Sequence, residues 1–384
     1  MNIMKVSALD ESGPRHRVNH EIQVLRAVAV LAVIVHHLVG LFVWDVPRWS
    51  QVGQGLYVGV DLFFCVSGFV IARTLLPKLN GKSGVEFWKE CGGFWIKRLY
   101  RITPSAWLWL LIPMLLGPLM VHTQVAQLNS ANLGDIAAAV LHVENFHFYK
   151  CAINQGSCGV FALYWTLSLE EQFYILLPFV VFFFRKWLTL VLVGLVVIQV
   201  FIDRQEWGGL LAFIRTDAIL LGVLIAIFFK TDVYRALEPK LNTSRFRYVL
   251  PMLLFFCLFA TARYQIVSFH IGLSAIVCGF IVWLCSYDRG YFLKDSMLRR
   301  SLSWIGTRSY AIYLIHIPSF WFTREIWSWV EPEGTVFDSS FTLRFSLTAL
   351  FLIVFLADIN FRFIEEPLRK RGHMRANELM ARKV

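Results

Sequence analysis

Apolar residues in this chain come in membrane-length runs separated by short polar stretches, and the run at 22–44 sets the pattern. A run of that length crosses a bilayer as a helix. Further runs follow at 56–76, 104–121, 164–184, 187–202, 215–229, 248–267, 269–287, 304–321 and 341–361. The intervening stretches alternate in charge. Lys78, Lys82, Lys89, Lys97, Arg98 and Arg101 form the strongest basic cluster; Arg185 with Lys186, then Arg235, Lys240, Arg245 and Arg247, then Arg289, Lys294, Arg299 and Arg300 mark the later ones. Basic loops stay cytoplasmic. The pattern predicts an all-α, polytopic integral membrane protein of about ten transmembrane helices with both termini cytoplasmic. It divides the chain into a polar N-terminal segment 1–20 containing Lys5, Arg15 and Arg17, a membrane domain 21–371, and a basic tail 372–384.

Composition agrees and removes the soluble classes. With 384 residues, 57% hydrophobic and 16% charged, the chain is too apolar for an ordinary soluble domain. The net charge of +11 lies in the loops between runs, where it serves membrane orientation and lipid contact, and no nucleic-acid partner is expected. The first run is too long for a signal-peptide core and has no small-residue cleavage pattern, so it reads as a retained span. The segment 122–163 has one lysine, Lys150, and reads as the long external loop. It holds Cys151 and Cys158, which an oxidising exterior would let pair. Metal binding by these two with His142 or His147 is the alternative, though the spacing matches no familiar zinc pattern and no metal is expected.

Ionisable side chains at membrane depth carry the candidate chemistry, because burying them there costs free energy. Arg26 and His37 are eleven residues apart. That separation is close to three helical turns, so both project from one face about 16 Å apart. His36 points about 100° away and is expected in a different environment. A lone membrane histidine is more often packed and inert than functional, so the other polar groups decide. Asp61 lies near the start of the second run and needs a cationic partner that local sequence does not name. Arg98 and Arg101 fall on one side of a helix and form a fork suited to phosphate or carboxylate; lipid anchoring explains them equally well. Glu170 and Glu171, placed toward the outer end of the fourth run, suit a general base or sugar hydroxyls, with Arg215 and Asp217 opposite them. They are also explained by the helix dipole. His316 falls in the outer half of the ninth run. Arg362, Glu365, Glu366 and Arg369 have the spacing of intrahelical ion pairs.

These residues sit in seven ordered stretches: LRAVAVLAVIVHH, GVDLFFCVSGFVI, RLYRITP, WTLSLEEQFYILLP, RTDAILLG, GTRSYAIYLIH and RFIEEPLRK. Together they resemble the acyltransferase-3 family of integral membrane acyltransferases, and the resemblance runs from residue 21 to 371. It implies a ten-helix core in the bacterial cytoplasmic (inner) membrane that takes an acyl group, often acetyl, from cytoplasmic acyl-CoA. The acceptor is a hydroxyl of a cell-surface carbohydrate or glycolipid, such as polysaccharide or lipopolysaccharide. It places the essential histidine on His37, its arginine on Arg26, donor binding on Arg98 and Arg101, and the outer glutamates on Glu170 and Glu171. A Tyr or Phe is more usual where His36 stands, which leaves open which histidine acts. The esterase-like domain that some relatives append is not expected here. His37 serves as base or nucleophile in this scheme. Two other classes fit the pattern: a proton-coupled transporter or flippase, which needs no phosphate site at Arg98 and Arg101, and a non-catalytic assembly partner, which would tolerate neutral replacements throughout.

Overall fold

The computed structural model describes residues 19–125, 127–204, 209–241 and 248–381. Lys5, Arg15, Arg17 and the rest of the N-terminal segment before Asn19 lie outside them, as do Arg245 and Arg247. Among the described residues all regular structure is helical. In chain order the α-helices are α1 (His20–His36), α2 (Val46–Gly53), α3 (Gly59–Leu79), α4 (Gly84–Leu116), α5 (Ser130–Val140) and α6 (Glu144–Ala152). They continue as α7 (Trp165–Phe184), α8 (Leu188–Phe201), α9 (Leu210–Phe213), α10 (Asp217–Phe228) and α11 (Asp232–Ala236). The last five are α12 (Val249–Tyr264), α13 (His270–Ser286), α14 (Met297–Val330), α15 (Thr342–Asn360) and α16 (Glu366–Ala381).

Five helical stretches are long and apolar enough to cross a bilayer: His20–Gly40, Leu56–Leu79, Gly84–Leu119, Ala162–Phe201 and Ser339–Ala381. Asp217–Phe228, Val249–Tyr264 and His270–Ser286 are shorter apolar helices. Large apolar side chains stand exposed on α8 (Val197, Ile198), α12 (Met252, Phe256) and α15 (Leu347, Phe351). In water such surfaces would aggregate; against lipid tails they cost nothing.

The first helix sits at the centre, packed on α3, α13 and α14. Asn19 caps it by accepting the Ile22 N–H, and the helix ends at His36 where the chain tightens into a 3-10 turn over His37–Gly40. Close backbone approach holds the bundle together. A Cβ on Gly68 would fall 2.0 Å from the Ile219 carbonyl oxygen, and one on Gly222 would fall 2.1 Å from that of Cys65, so α3 and α10 touch through reciprocal glycines. Gly306 does the same for α14 against α1, where a Cβ would meet the Gln23 carbonyl oxygen at 1.9 Å. Small residues at such crossings let the backbones reach van der Waals contact that lipid cannot replace.

Two boundaries differ from the sequence-based expectation. The stretch before Pro104 is not a loop: α4 begins at Gly84 and runs unbroken through Pro104 and Pro113. Its charged first half also buries Phe87, Cys91 and Phe94, and α16 packs along it, with Gly372 against Tyr100. That packing supports a helix where charge density alone reads as loop. For the same reason the tail beginning at Gly372 is no separate segment, since α16 continues through it to Ala381 with Gly372 and Ala376 buried.

The loop between α4 and α7 carries α5 and α6 and contains a disulfide between Cys151 and Cys158. Sequestered sulfurs cannot ligate a metal, so the thiol-based alternative does not hold. In intact cells, a membrane-impermeant thiol reagent is expected to label these two cysteines only after reduction; labelling confined to the cytoplasmic side would invert the topology.

Candidate active site

Two adjoining cavities occupy the centre of the bundle. The first is lined by Arg26, Ser67, Arg98, Arg101, Glu170 and Tyr174, among others. Arg26 comes from α1, and its Nε donates to Ser309 Oγ on α14 at 3.1 Å. Arg98 and Arg101 come from the middle of α4, and the Arg98 guanidinium lies over the rings of Phe94 and Tyr174 at 5.5 and 5.6 Å. Glu170, from α7, faces Ser67 and Tyr174 and is within electrostatic reach of Arg26 and Arg98. Glu171, mostly buried, also faces Arg98. The sequence reading put the arginine pair in a cytoplasmic loop and the glutamates at the opposite end of a span. Because α4 is one long helix, the structure brings Arg98, Arg101 and Glu170 to a single cavity instead.

The second cavity is lined by His36, His37, Tyr57, Trp165, Arg215 and Tyr313, among others. His37 Nδ1 lies 2.8 Å from the Val33 carbonyl oxygen, so Nδ1 carries the proton and donates. The lone pair is then on Nε2. His316, fully buried on α14, donates from its own Nδ1 to the Tyr313 carbonyl at 2.7 Å, and its Nε2 lies 3.4 Å from His37 Nδ1. His316 thus accepts a second, weaker share of the same His37 proton and fixes the tautomer from the other side.

His36 departs from expectation. A regular helix would turn it away from His37, but the 3-10 turn that starts at His37 breaks that geometry, and both rings line one cavity with centroids 4.9 Å apart. Their partners still differ: His36 Nδ1 donates to the Gly53 carbonyl at 3.0 Å, and its ring faces Tyr57.

Thr166 and Tyr313 line both cavities and form the partition between them. Their hydroxyls are 2.6 Å apart, and the Tyr313 hydroxyl also donates to the Leu163 carbonyl at 3.2 Å. Arg26 lines the first cavity and His37 the second, so the two lie on opposite sides of this partition.

Arg215 and Asp217 do not oppose the glutamates. Arg215 pairs with Asp61 at 3.0 Å, and Asp217 pairs with Arg204 at 2.9 Å, all four side chains being buried. This supplies the partner that Asp61 lacked. Arg215 also lies over the Trp165 ring at 5.4 Å, so the network stiffens one wall of the histidine cavity.

A family model described as an acyltransferase domain matches residues 19–358. The chain belongs to the acyltransferase-3 family. It is 28% identical over 373 residues to the peptidoglycan O-acetyltransferase OatA of Listeria monocytogenes, covering 91% of this chain and 55% of that protein. The putative peptidoglycan O-acetyltransferase YrhL of Bacillus subtilis is 28% identical over 398 aligned positions, covering 93% and 56%. An O-acetyltransferase OatA of Staphylococcus aureus is 26% identical over 373 residues, covering 91% and 57%. The chain therefore spans a little over half the length of these family members. No solved structure matches.

Sequence reading missed one charged group that this family site contains. Glu365 reads as part of an intrahelical ladder, yet its neighbours alone take that role: Arg362 pairs with Asp358 at 2.7 Å and Arg369 pairs with Glu366. Between them, residues Phe361–Glu365 form a π-helical turn. It swings Glu365 inward, where it is buried and faces Arg101 and Arg26. The adjacent glutamates before Pro367 were the visible signal; the helix phase that separates their fates was not. Ser309 and Thr166 were also missed, because Ser and Thr hydroxyls in apolar helices are ordinarily satisfied by the preceding turn, and Tyr313 because the partners of its hydroxyl, Thr166 and the Leu163 carbonyl, are remote in sequence.

Proposed function

We propose that this chain is a membrane-embedded O-acyltransferase that moves an acyl group, acetyl above all, from cytoplasmic acyl-CoA to a hydroxyl of a cell-envelope carbohydrate. In this proposal about ten helices cross the inner membrane of a bacterium and both termini are cytoplasmic, in keeping with the apolar runs and the basic loops between them. The observation that carries this reading is the pair of adjoining cavities: three arginines on one side, a histidine with a free Nε2 on the other, and a two-hydroxyl partition between them. The names of the relatives point to peptidoglycan or a similar glycan as acceptor.

In this reading Arg98 and Arg101 bind phosphate oxygens of the donor, since a guanidinium fork matches that geometry. Glu170 and Glu365 offset the charge of Arg26 and Arg101 and keep three cations tolerable at membrane depth. The thioester reaches His37 across the Thr166–Tyr313 partition. With Nδ1–H committed to Val33 and His316, Nε2 takes the acceptor hydroxyl proton as the oxygen attacks the thioester carbonyl. The carbon–sulfur bond breaks, and the thiolate recovers that proton from the imidazolium. If Nε2 attacks first, an acyl-imidazole forms, the thiolate leaves, and the acceptor hydroxyl then takes the acyl group with its proton passing to the thiolate. A transporter has no use for the arginine cavity.

Replacing both Arg98 and Arg101 by Gln tests the donor site. Each charged contact to phosphate is worth about 1.5–3 kcal/mol, so the double variant should bind acyl-CoA at least about tenfold more weakly, measured by titration of purified protein in detergent. Unchanged donor affinity in a folded double variant would return the pair to lipid anchoring.

A further inference from the structure

The loop between α4 and α7 holds a second cluster of titratable groups, outside both cavities. Asp135 on α5 and Glu144 and His147 on α6 each bring one ligand atom within 4.8 Å of the others. The glutamate and histidine are three residues apart on α6, so they leave it on the same side. Asp135 is fully buried and held rigidly: its carboxylate accepts the Gly159 N–H at 2.9 Å and the Phe161 N–H at 2.8 Å. Its Oδ1 is also 3.2 Å from His147 Nε2.

Glu144 is the anomaly. It is fully buried, and neither carboxylate oxygen has a hydrogen-bond partner. A buried carboxylate without donors is strongly unfavourable, and a second carboxylate beside it makes matters worse. Two remedies exist: a proton or a cation. Burial, with the charge of Asp135, pushes the Glu144 pKa up to about 9, which is the outcome if no cation is present.

The geometry points to a divalent transition cation, of the Zn²⁺ or Mn²⁺ class, held by Asp135, Glu144 and His147. Two carboxylates and an imidazole form a mixed oxygen and nitrogen donor set that suits these ions better than Ca²⁺ or Mg²⁺, which favour all-oxygen shells. Ligand bonds of about 2.0–2.2 Å in a tetrahedral shell place ligand atoms about 3.3–3.6 Å apart, so the three groups need to close by about an ångström at most around the ion. The cysteines beside His147 contribute nothing, because they are bonded to each other. This inference departs from the metal-free expectation drawn from sequence and is independent of the acyl-transfer reading. Its consequence is positional. The Glu144 N–H donates to Ser168 Oγ on α7 at 3.2 Å, Asn145 and Gln172 are hydrogen-bonded, and Phe148, one residue past His147, lines the histidine cavity. An ion here fastens α5, α6 and the strand of chain at 159–161 into one outer wall for that cavity.

The test uses the full chain in detergent with its disulfide intact, stripped with a chelator and then dialysed against Zn²⁺ or Mn²⁺ alone. Elemental mass spectrometry should count about one ion per chain. Affinity should fall at least tenfold in Glu144→Gln and in His147→Gln, the latter being partly exposed and safe for folding. The Cys151→Ser/Cys158→Ser variant should still hold the ion. Wild-type protein that takes up neither ion, or uptake that follows the cysteines and ignores Glu144 and His147, would overturn the assignment. So would a melting temperature that neither ion raises in wild-type protein, since a ligand that binds only the folded state must stabilise it.

Discussion

His37→Ala is expected to abolish acyl transfer, with a loss of about 10²–10⁴-fold from the missing base alone, while His36→Ala retains most of the activity. The two rings share a cavity, so proximity does not separate them; their partners do. His37 is gripped on Nδ1 by the Val33 carbonyl and by His316, which leaves Nε2 as a proton acceptor of fixed direction. His36 donates to the Gly53 carbonyl instead and makes ring contacts with Tyr57 and with His37 itself. Transfer of labelled acetyl from acetyl-CoA in membranes, with insertion and donor binding measured in parallel, distinguishes them. Loss of activity in His36→Ala alone would mean that the reacting ring has been misassigned. Full activity in both variants would remove the histidine mechanism altogether.

Arg215→Ala should be among the most destabilising single changes in the chain. It leaves Asp61 buried without its counter-ion, and breaking a buried pair by removing one partner costs about 3–5 kcal/mol. The sign of the double replacement is the sharper part. Removing both charges, as in Asp61→Asn with Arg215→Gln, should recover a large part of that loss, because no orphaned charge remains. Thermal unfolding in detergent measures both. A single variant that melts like the parent, or a double variant whose loss equals the sum of the two singles, would show that the two side chains are not coupled.

How much of this was legible beforehand follows from what each signal measures. Apolar run length showed where the apolar helices lie, because it reports a transfer free energy that is local in sequence. That Arg26 and His37 each face an interior cavity was legible too, since a polar side chain in an apolar run needs a polar space to face. His36 was misplaced because the helix ends under it, and nothing in a uniformly apolar run marks a change from α to 3-10 geometry. The meeting of Arg98 and Arg101 with Glu170 was hidden because charge density in 84–101 imitates a loop, whereas the packing of α16 makes it helix. The partner of Asp61 and the contact of His316 with His37 are tertiary facts, with no local trace.

The π-helical turn at Phe361–Glu365 gives the end of the chain a property that composition would not suggest, namely intolerance of length change. Each residue of an α-helix advances the side-chain direction by about 100°, so a turn that holds one residue more than its neighbours resets the angular phase of everything beyond it. Here the reset does two jobs at once. It aims Glu365 at the arginine cavity, and it sets which edge of α16 meets α4 at Tyr100 and Gly372. Adding or removing one residue in the regular helix ahead of the turn would rotate everything beyond it by about 100° and carry both features out of place. The segment thus behaves as a mechanical index mark: its amino acids can vary more freely than their number.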